Sequence, residues 1–307
     1  MTQLTISHHR HQPRFSARLT TVGILVALVL VTLGAAQGIY WIALAGREPV
    51  NILVLGLDRR PHETGPCRSD VMMLARLDSQ ENTVSLLSIP RDLYVWIPGH
   101  GEGRINTAHF WGEFERPDNG PALARQAIHQ NLGVPVHGYI RLDFQGLVKL
   151  VDALGGISVE VPAEIRDDRY PTDDLGYTTI VIPAGQQKMD GERVLTYVRT
   201  RHAASDFDRV RRHQQVVVAL LRRAGSPAGW VHLPATLKAV RDSVDTDLSL
   251  GEILLWGTFA VRSDPDSLDR IVLNETMTSP QTTDNGSQVL VPDWNRILPL
   301  MHRFGGG

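Results

Sequence analysis

The sequence predicts an α/β fold built around a mixed central sheet and preceded by one N-terminal transmembrane helix. Residues 19–46 carry no charged side chain. From residue 51 onward, short apolar runs alternate with stretches of helical periodicity, the pattern of a layered α/β sheet. Two consecutive runs are joined by a short polar turn at 78–83, so the sheet holds a hairpin and is not purely parallel.

The leader comes first. A helix needs about 20 apolar residues to cross a bilayer, and 19–46 supplies them, with Tyr40 and Trp41 near the far end as an interfacial pair. Arg10, Arg14 and Arg18 precede it without an acidic residue. The positive-inside rule therefore assigns 1–18 to the cytoplasm, 19–46 to a single-pass membrane anchor and 47–307 to an extracytoplasmic domain. A cleaved signal peptide ending near Gly34-Ala35-Ala36 and a buried core helix are the competing readings.

Within the domain, 51–57 reads as a buried strand and 58–68, with Pro61, Gly65 and Pro66, as a loop. Runs 71–77 and 84–89 are strands, the second ended by Pro90. Residues 120–132 have helical spacing, with Gly133 as the stop. A strand at 137–142 leads to Asp143, placed to cap a helix carrying Phe144, Leu147, Val148, Val151 and Leu154. Gly155-Gly156 ends that helix and 157–161 returns as a strand. The polar and aromatic stretch 164–178 reads as a long surface loop. Helices follow at 191–197 and 205–223, the latter opened by Ser205 and Asp208 in capping-box spacing. The stretch 234–304 reads as two helices, one strand and a short terminal helix.

Composition narrows the function. The 307 residues are 42% hydrophobic and 21% charged, which excludes wholesale disorder. The single cysteine, Cys67, excludes an internal disulfide and a multi-cysteine metal site, although Arg68 beside it favours a lowered thiol pKa. A net charge of −2 gives no sign of a nucleic-acid partner. No G-x-S-x-G, glycine-rich phosphate loop, H-E-x-x-H or dinucleotide fingerprint is present.

Two groups of residues carry the chemistry. Asp58 ends the first strand and Asp70 precedes the second, so both carboxylates fall at one end of adjacent strands. Such a pair, with waters and phosphate oxygens, suits Mg²⁺, and also suits two solvated loop residues. Arg91 follows a strand end. Arg199 and Arg201 share a side if the chain there is extended, and Arg209 and Arg212 share a helix face. Guanidinium forks match phosphate oxygens, although each arginine singly reads as well as a surface ion-pair residue. His202 and His213 border this cluster as polar neighbours. Leu147, Val148, Val151, Leu220 and Leu221 read as core, or as an apolar slot for a lipid tail.

The segments NILVLGLD at 51–58, RSDVMML at 68–74, VSLLSIPRDLYVWIPG at 84–99, RINTAHFWG at 104–112, LVDALGGISVEVP at 150–162, MDGERVLTYVRTRH at 189–202 and SDFDRVRRHQQ at 205–215 resemble the LytR-CpsA-Psr (LCP) family of bacterial envelope proteins. The resemblance implies an α-β-α sandwich with a cleft for a lipid tail. It implies a membrane-anchored phosphotransferase that moves a glycopolymer from a polyprenyl-pyrophosphate carrier, a membrane lipid, to a peptidoglycan acceptor through a phosphodiester link. Asp58 and Asp70 would hold Mg²⁺ and Arg91, Arg201 and Arg209 the pyrophosphate. Arg199 and Arg212 would help and Gln215 would donate a hydrogen bond. A polyprenyl-pyrophosphate hydrolase and a non-catalytic tethered regulator are the alternatives. The chain departs from the family pattern at Val71, Arg104, Asp208 and His213. Val71 removes a hydroxyl beside Asp70, and Asp208 sets a negative charge beside Arg209.

Overall fold

The structure is a computed structural model that describes residues 37–59, 65–172, 176–200 and 206–306. Residues 37–44 form a helix in which Tyr40 and Trp41 meet edge to face at 5.4 Å. Residues 19–36 of the expected anchor lie outside the described residues. Among the described residues no helix is long and apolar enough to cross a membrane.

The second unit, 48–307, begins with a meander: β1 (Val50–Leu57), β2 (Ser69–Asp78) and β3 (Thr83–Ile89). The β2–β3 turn is closed by Asp78, whose carboxylate accepts from the backbone N–H of Gln80 and Glu81, both at 3.1 Å. A small hairpin, β4 (Tyr94–Ile97) and β5 (Gly101–Arg104), precedes helices α1 (Thr107–Glu115) and α2 (Gly120–Leu132). Gly133 stops α2 in the left-handed region at φ 67°. Strand β6 (Gly138–Asp143) runs into α3 (Phe144–Ala153), capped by Asp143 through the N–H of Gly146 at 2.8 Å.

Strand β7 (Ile157–Val161) pairs with β10 (Gly185–Met189), enclosing the hairpin β8 (Ile165–Pro171) and β9 (Tyr177–Ile182). Helices α4 (Gly191–Arg199), α5 (Asp206–Gly225), α6 (Pro227–Trp230) and α7 (Leu233–Ser243) follow. The chain ends through β11 (Asp245–Thr246), α8 (Leu250–Arg262), β12 (Asp269–Val272), β13 (Thr278–Thr282), β14 (Gln288–Pro292) and α9 (Trp294–Met301).

The central sheet has the order β11-β6-β1-β2-β3-β12. Pairs β1–β2 and β2–β3 are antiparallel, while β1–β6 and β3–β12 are parallel, so the sheet is mixed as expected. Strand alternation divides the side chains between its faces. Leu53, Leu55, Met72 and Leu74 pack with Ala108, Ala124, Ile128 and Ile297 of α1, α2 and α9 in one core. A second core joins α3, α4 and α5 to β7 through Val151, Val159, Val194, Tyr197 and Val216.

Two expectations are corrected. The expected loop at 164–178 is largely the β8–β9 hairpin, because a strand with one wet face needs few apolar residues: Ile165 and Asp167 point inward and are buried. The stretch from 234 carries four strands rather than one, of which β11 and β12 edge the central sheet.

Candidate active site

Antiparallel pairing brings the end of β1, the start of β2 and the end of β3 to one edge of the sheet, and parallel pairing adds the end of β6. Asp58, Asp70, Arg91 and Asp143 therefore start from a common edge, the edge where α/β folds place ligands. The β1–β2 register moves from Gly56 opposite Val71 to Leu57 opposite Ser69. Asp70 is the extra residue of a β-bulge, which re-aims its side chain out of the strand alternation. Gly56 makes that pairing possible, since a Cβ there would lie 2.9 Å from the Cβ of Val71.

Arg91 Nη1 donates to Asp70 Oδ2 at 2.9 Å and its Nε to Asp92 Oδ2 at 3.3 Å. Arg104 Nη1 donates to Asp92 Oδ1 at 3.2 Å. Asp92 thus holds two guanidiniums in place, and the loop after β3 is braced from both sides.

Above the edge lies a cavity of about 630 Å³ between the sheet, α3, α5 and the β8–β9 hairpin, a size that suits a ligand site. Asp58, Asp70, Arg199 and Arg209 line it. A small adjoining niche is lined by Asp70, Arg91, Asp92 and Arg209, so Arg91 shares two neighbours with the cavity. Helix α5 sends Arg209, His213, Val217, Leu220 and Ala224 into it, near the i, i+4, i+8 spacing of one face. Leu147 of α3 and Val54 and Ile140 of the sheet line it from other sides. One end is charged and the other is apolar. Of the five residues that read as core or slot, Leu147, Leu220 and Leu221 line the cavity, while Val148 and Val151 belong to the second core.

The arginines divide. Arg209 is 8% exposed and faces the cavity. Arg199, the last residue of α4, sits over the ring of Phe144 at 4.8 Å and of Tyr170 at 5.8 Å, contacts that orient a guanidinium. Arg201 and Ser205 lie outside the described residues. Arg212 is not on the cavity. Its Nη1 and Nη2 donate to the carbonyls of Tyr197 at 2.8 Å and Thr200 at 2.9 Å, and burial holds its pKa below the usual guanidinium range. Three residues is slightly less than a turn, and that offset points Arg212 at α4. Gln215 likewise meets α4, its Oε1 accepting from the Tyr197 hydroxyl at 2.5 Å. Arg212 and Gln215, expected as phosphate helpers, are thus placed against α4 rather than on the cavity. Asp208 pairs with Arg211 at 2.8 Å, which draws its charge toward the outer face of α5.

Two further residues line the cavity, one set beside the arginines by the sequence as a polar neighbour and one passed over. His213 faces the cavity, and burial reinforced by Arg209, Arg212 and Arg91 pushes its pKa down to about 3. The signal was its i+4 spacing from Arg209. Asp167 is 1% exposed and accepts from the Thr200 hydroxyl at 2.7 Å and from the N–H of Arg169 at 3.0 Å. It was hidden in the stretch read as loop. For Cys67, burial outweighs the pull of nearby Arg59 and pushes the thiol up, opposite to the lowering expected.

The residues fit a magnesium ion in one respect. Asp58 and Asp70 line the same cavity beside phosphate-matching arginines. A pair of carboxylates completed by phosphate oxygens and water is a donor set that magnesium accepts.

The model of the LytR_cpsA_psr family matches residues 35–301. The chain belongs to this family. It is 32% identical over 209 residues to the polyisoprenyl-teichoic acid–peptidoglycan teichoic acid transferase TagU of Oceanobacillus iheyensis, covering 67% of this chain and 61% of that protein. It is 32% identical over 219 residues to the regulatory protein MsrR of Staphylococcus aureus, covering 71% of this chain and 62% of the other. The matched region thus spans about three-fifths of these relatives' length. Among solved structures, TagT bound to LIIa-WTA superposes with a TM-score of 0.66 and 25% identity, covering 84% of this chain and 90% of TagT. The likeness carries the fold, an α/β architecture with a mixed central sheet.

Proposed function

We propose that this family member transfers a glycopolymer from a polyprenyl-pyrophosphate carrier to peptidoglycan through a phosphodiester link. The observation that carries the reading is the polarity gradient of one cavity: acids and arginines at the strand ends, apolar side chains along α5. A lipid diphosphate has the same division. From Arg209 to Ala224 the helix advances about 22 Å, at 1.5 Å per residue. The name of TagU and the ligand of TagT support the same substrate class. In this reading 19–46 anchors the chain in the membrane and 47–307 works outside the cytoplasm, facing its lipid substrate.

The reaction is a phosphoryl transfer, for which positioning and charge stabilisation suffice. A hydroxyl oxygen of the acceptor forms a bond to the phosphorus that bears the glycopolymer. The bond from that phosphorus to the bridging oxygen breaks, polyprenyl phosphate leaves with the electron pair, and the hydroxyl proton passes to a carboxylate at the charged end, Asp58 or Asp70, or to water. Arg209, Arg199 and Arg91 face the charge that accumulates on the leaving phosphate, with Arg201 as a fourth donor. Asp70 and Asp92 hold the Arg91 fork in one orientation, so little reorganisation is needed when charge develops. Magnesium held by Asp58 and Asp70 would supply further neutralisation of the diphosphate. His213, held neutral by burial and the arginines around it, lines the charged end as a hydrogen-bonding wall.

The test is a transfer assay with a lipid-linked donor, magnesium and peptidoglycan. Polymer joined to the acceptor means transfer, free polymer means hydrolysis, and binding without product means a regulator like the named role of MsrR. Arg91→Ala and Asp70→Ala are expected to fold normally and lose about 10²-fold or more in rate. Full activity in either variant overturns the site.

A further inference from the structure

The corner between α5 and α7 exposes a continuous apolar surface. Trp230 is 64% exposed, Val231 80%, Leu233 50% and Leu237 40%. Isolated apolar side chains on a surface are ordinary, but a group of them within one short segment marks an interaction site. The corner is firmly built. Ser226 caps α6 by accepting from the N–H of Gly229 at 3.1 Å, and a Cβ on Gly229 would meet the Arg223 carbonyl at 2.0 Å. Leu233 and Leu237 share one face of α7, and Arg241 continues it. None of the residues of α7 is buried, although Thr236 on its inner side lines the cavity.

Basic residues outnumber acids around this surface. Residues 209–241 contain no Asp or Glu, and Arg222, Arg223, Lys238 and Arg241 flank the apolar group. Arg222 pairs with Asp266 and Arg241 with Asp242, while Arg223 Nε donates to the Leu154 carbonyl at 2.8 Å. The remaining excess is positive. A tryptophan and leucines with a basic rim is the composition that sits at the headgroup level of an anionic bilayer. The place is telling as well, because Ala224, Thr236 and Val244 line the cavity beside this corner, at the opposite end of α5 from Arg209.

We propose that the α6–α7 corner docks into the interface of an anionic phospholipid bilayer through Trp230, Val231, Leu233 and Leu237. Docking there sets the apolar end of the cavity against the hydrocarbon, so that a lipid tail passes between them without crossing water. The docking itself does not depend on which group the enzyme transfers.

The test uses the full chain reconstituted into vesicles of phosphatidylcholine and phosphatidylglycerol. An environment-sensitive fluorophore is attached to Val231→Cys in a Cys67→Ser background, and to Glu102→Cys, exposed on β5, as the reference. At 231 the emission should shift to the blue and be quenched by nitroxide-bearing lipids, while at 102 it should do neither. Adding Leu233→Asp with Leu237→Asp should reduce the quenching at 231 several-fold, with circular dichroism confirming the fold. Equal, water-like emission at the two sites overturns the proposal. So does shielding at 231 that ignores lipid nitroxides and grows with protein concentration, which means a second copy covers the corner. Neither readout requires turnover, so failure of the transferase assay leaves this test intact.

Discussion

At the scale of the residue, what matters about each arginine is what its fork touches. Arg91 spans two carboxylates at a part-exposed site. Arg212 spans two main-chain carbonyls at the end of α4, where helical acceptors lack partners. The sequence showed that guanidiniums cluster between 199 and 212, and this clustering is real: Arg199 and Arg209 reach one cavity. It did not show the phase of α5 against α4, which only packing sets and which turns Arg212 and Gln215 toward α4. Their separate roles are measurable. Arg212→Met leaves two carbonyls without their donor, and an unsatisfied buried group costs about 1–3 kcal/mol. Urea unfolding should show a loss of about 2–6 kcal/mol on that basis, whereas KM for the donor in the folded fraction should stay unchanged. A raised KM with unchanged stability would return Arg212 to the phosphate site.

At the scale of the element, the informative pair is β1 and β2. Their short apolar runs were legible, and so were the boundaries of α2 and the caps of α3, because apolar runs, period and punctuation are local signals. The bulge at Asp70 was not, since it depends on which residue of β2 stands opposite Gly56. The β8–β9 hairpin escaped for a related reason: its buried members include Asp167, which only the Thr200 hydroxyl and a backbone N–H make tolerable inside. The bulge carries a sharp expectation. Gly56→Ala places a Cβ 2.9 Å from a Cβ fixed to the neighbouring strand, and such overpacking costs about 1–3 kcal/mol. Val71→Ala should rescue little of the measured stability, because the obstacle is the Val71 Cβ itself, whereas Val71→Gly should rescue most of it. Helix α5 carries another. Val217→Trp shortens the apolar part of the cavity. Excluding even two methylenes, at about 0.8 kcal/mol each, weakens binding of a long-chain isoprenoid diphosphate about tenfold. A short-chain analogue should bind as before, and equal losses for both would argue against a tail in this cavity.

At the scale of the whole molecule, a net charge of −2 conceals a local gathering of arginines around one buried histidine. Arg209, Arg212 and Arg91 all act on His213, and with burial they hold it neutral down to about pH 3, against an ordinary value of 6.5. His109 and His137 are shifted the same way, chiefly by burial. Between these values the unfolded chain binds protons that the folded chain refuses, so stability must fall as pH falls below 6.5. Each such histidine adds a slope of about 1.4 kcal/mol per pH unit. His213→Gln removes one of them while keeping a polar side chain of similar reach. Urea midpoints near neutrality should therefore be similar for the two proteins, and near pH 5 the variant should be the more stable by about 2 kcal/mol. A bound diphosphate changes the sign of the field at the same place: its charge offsets the arginines, makes an imidazolium at 213 less costly and flattens the acid limb of the wild-type curve. Parallel pH profiles for the wild type and His213→Gln, with or without an isoprenoid diphosphate, would show that no arginine field acts on this side chain.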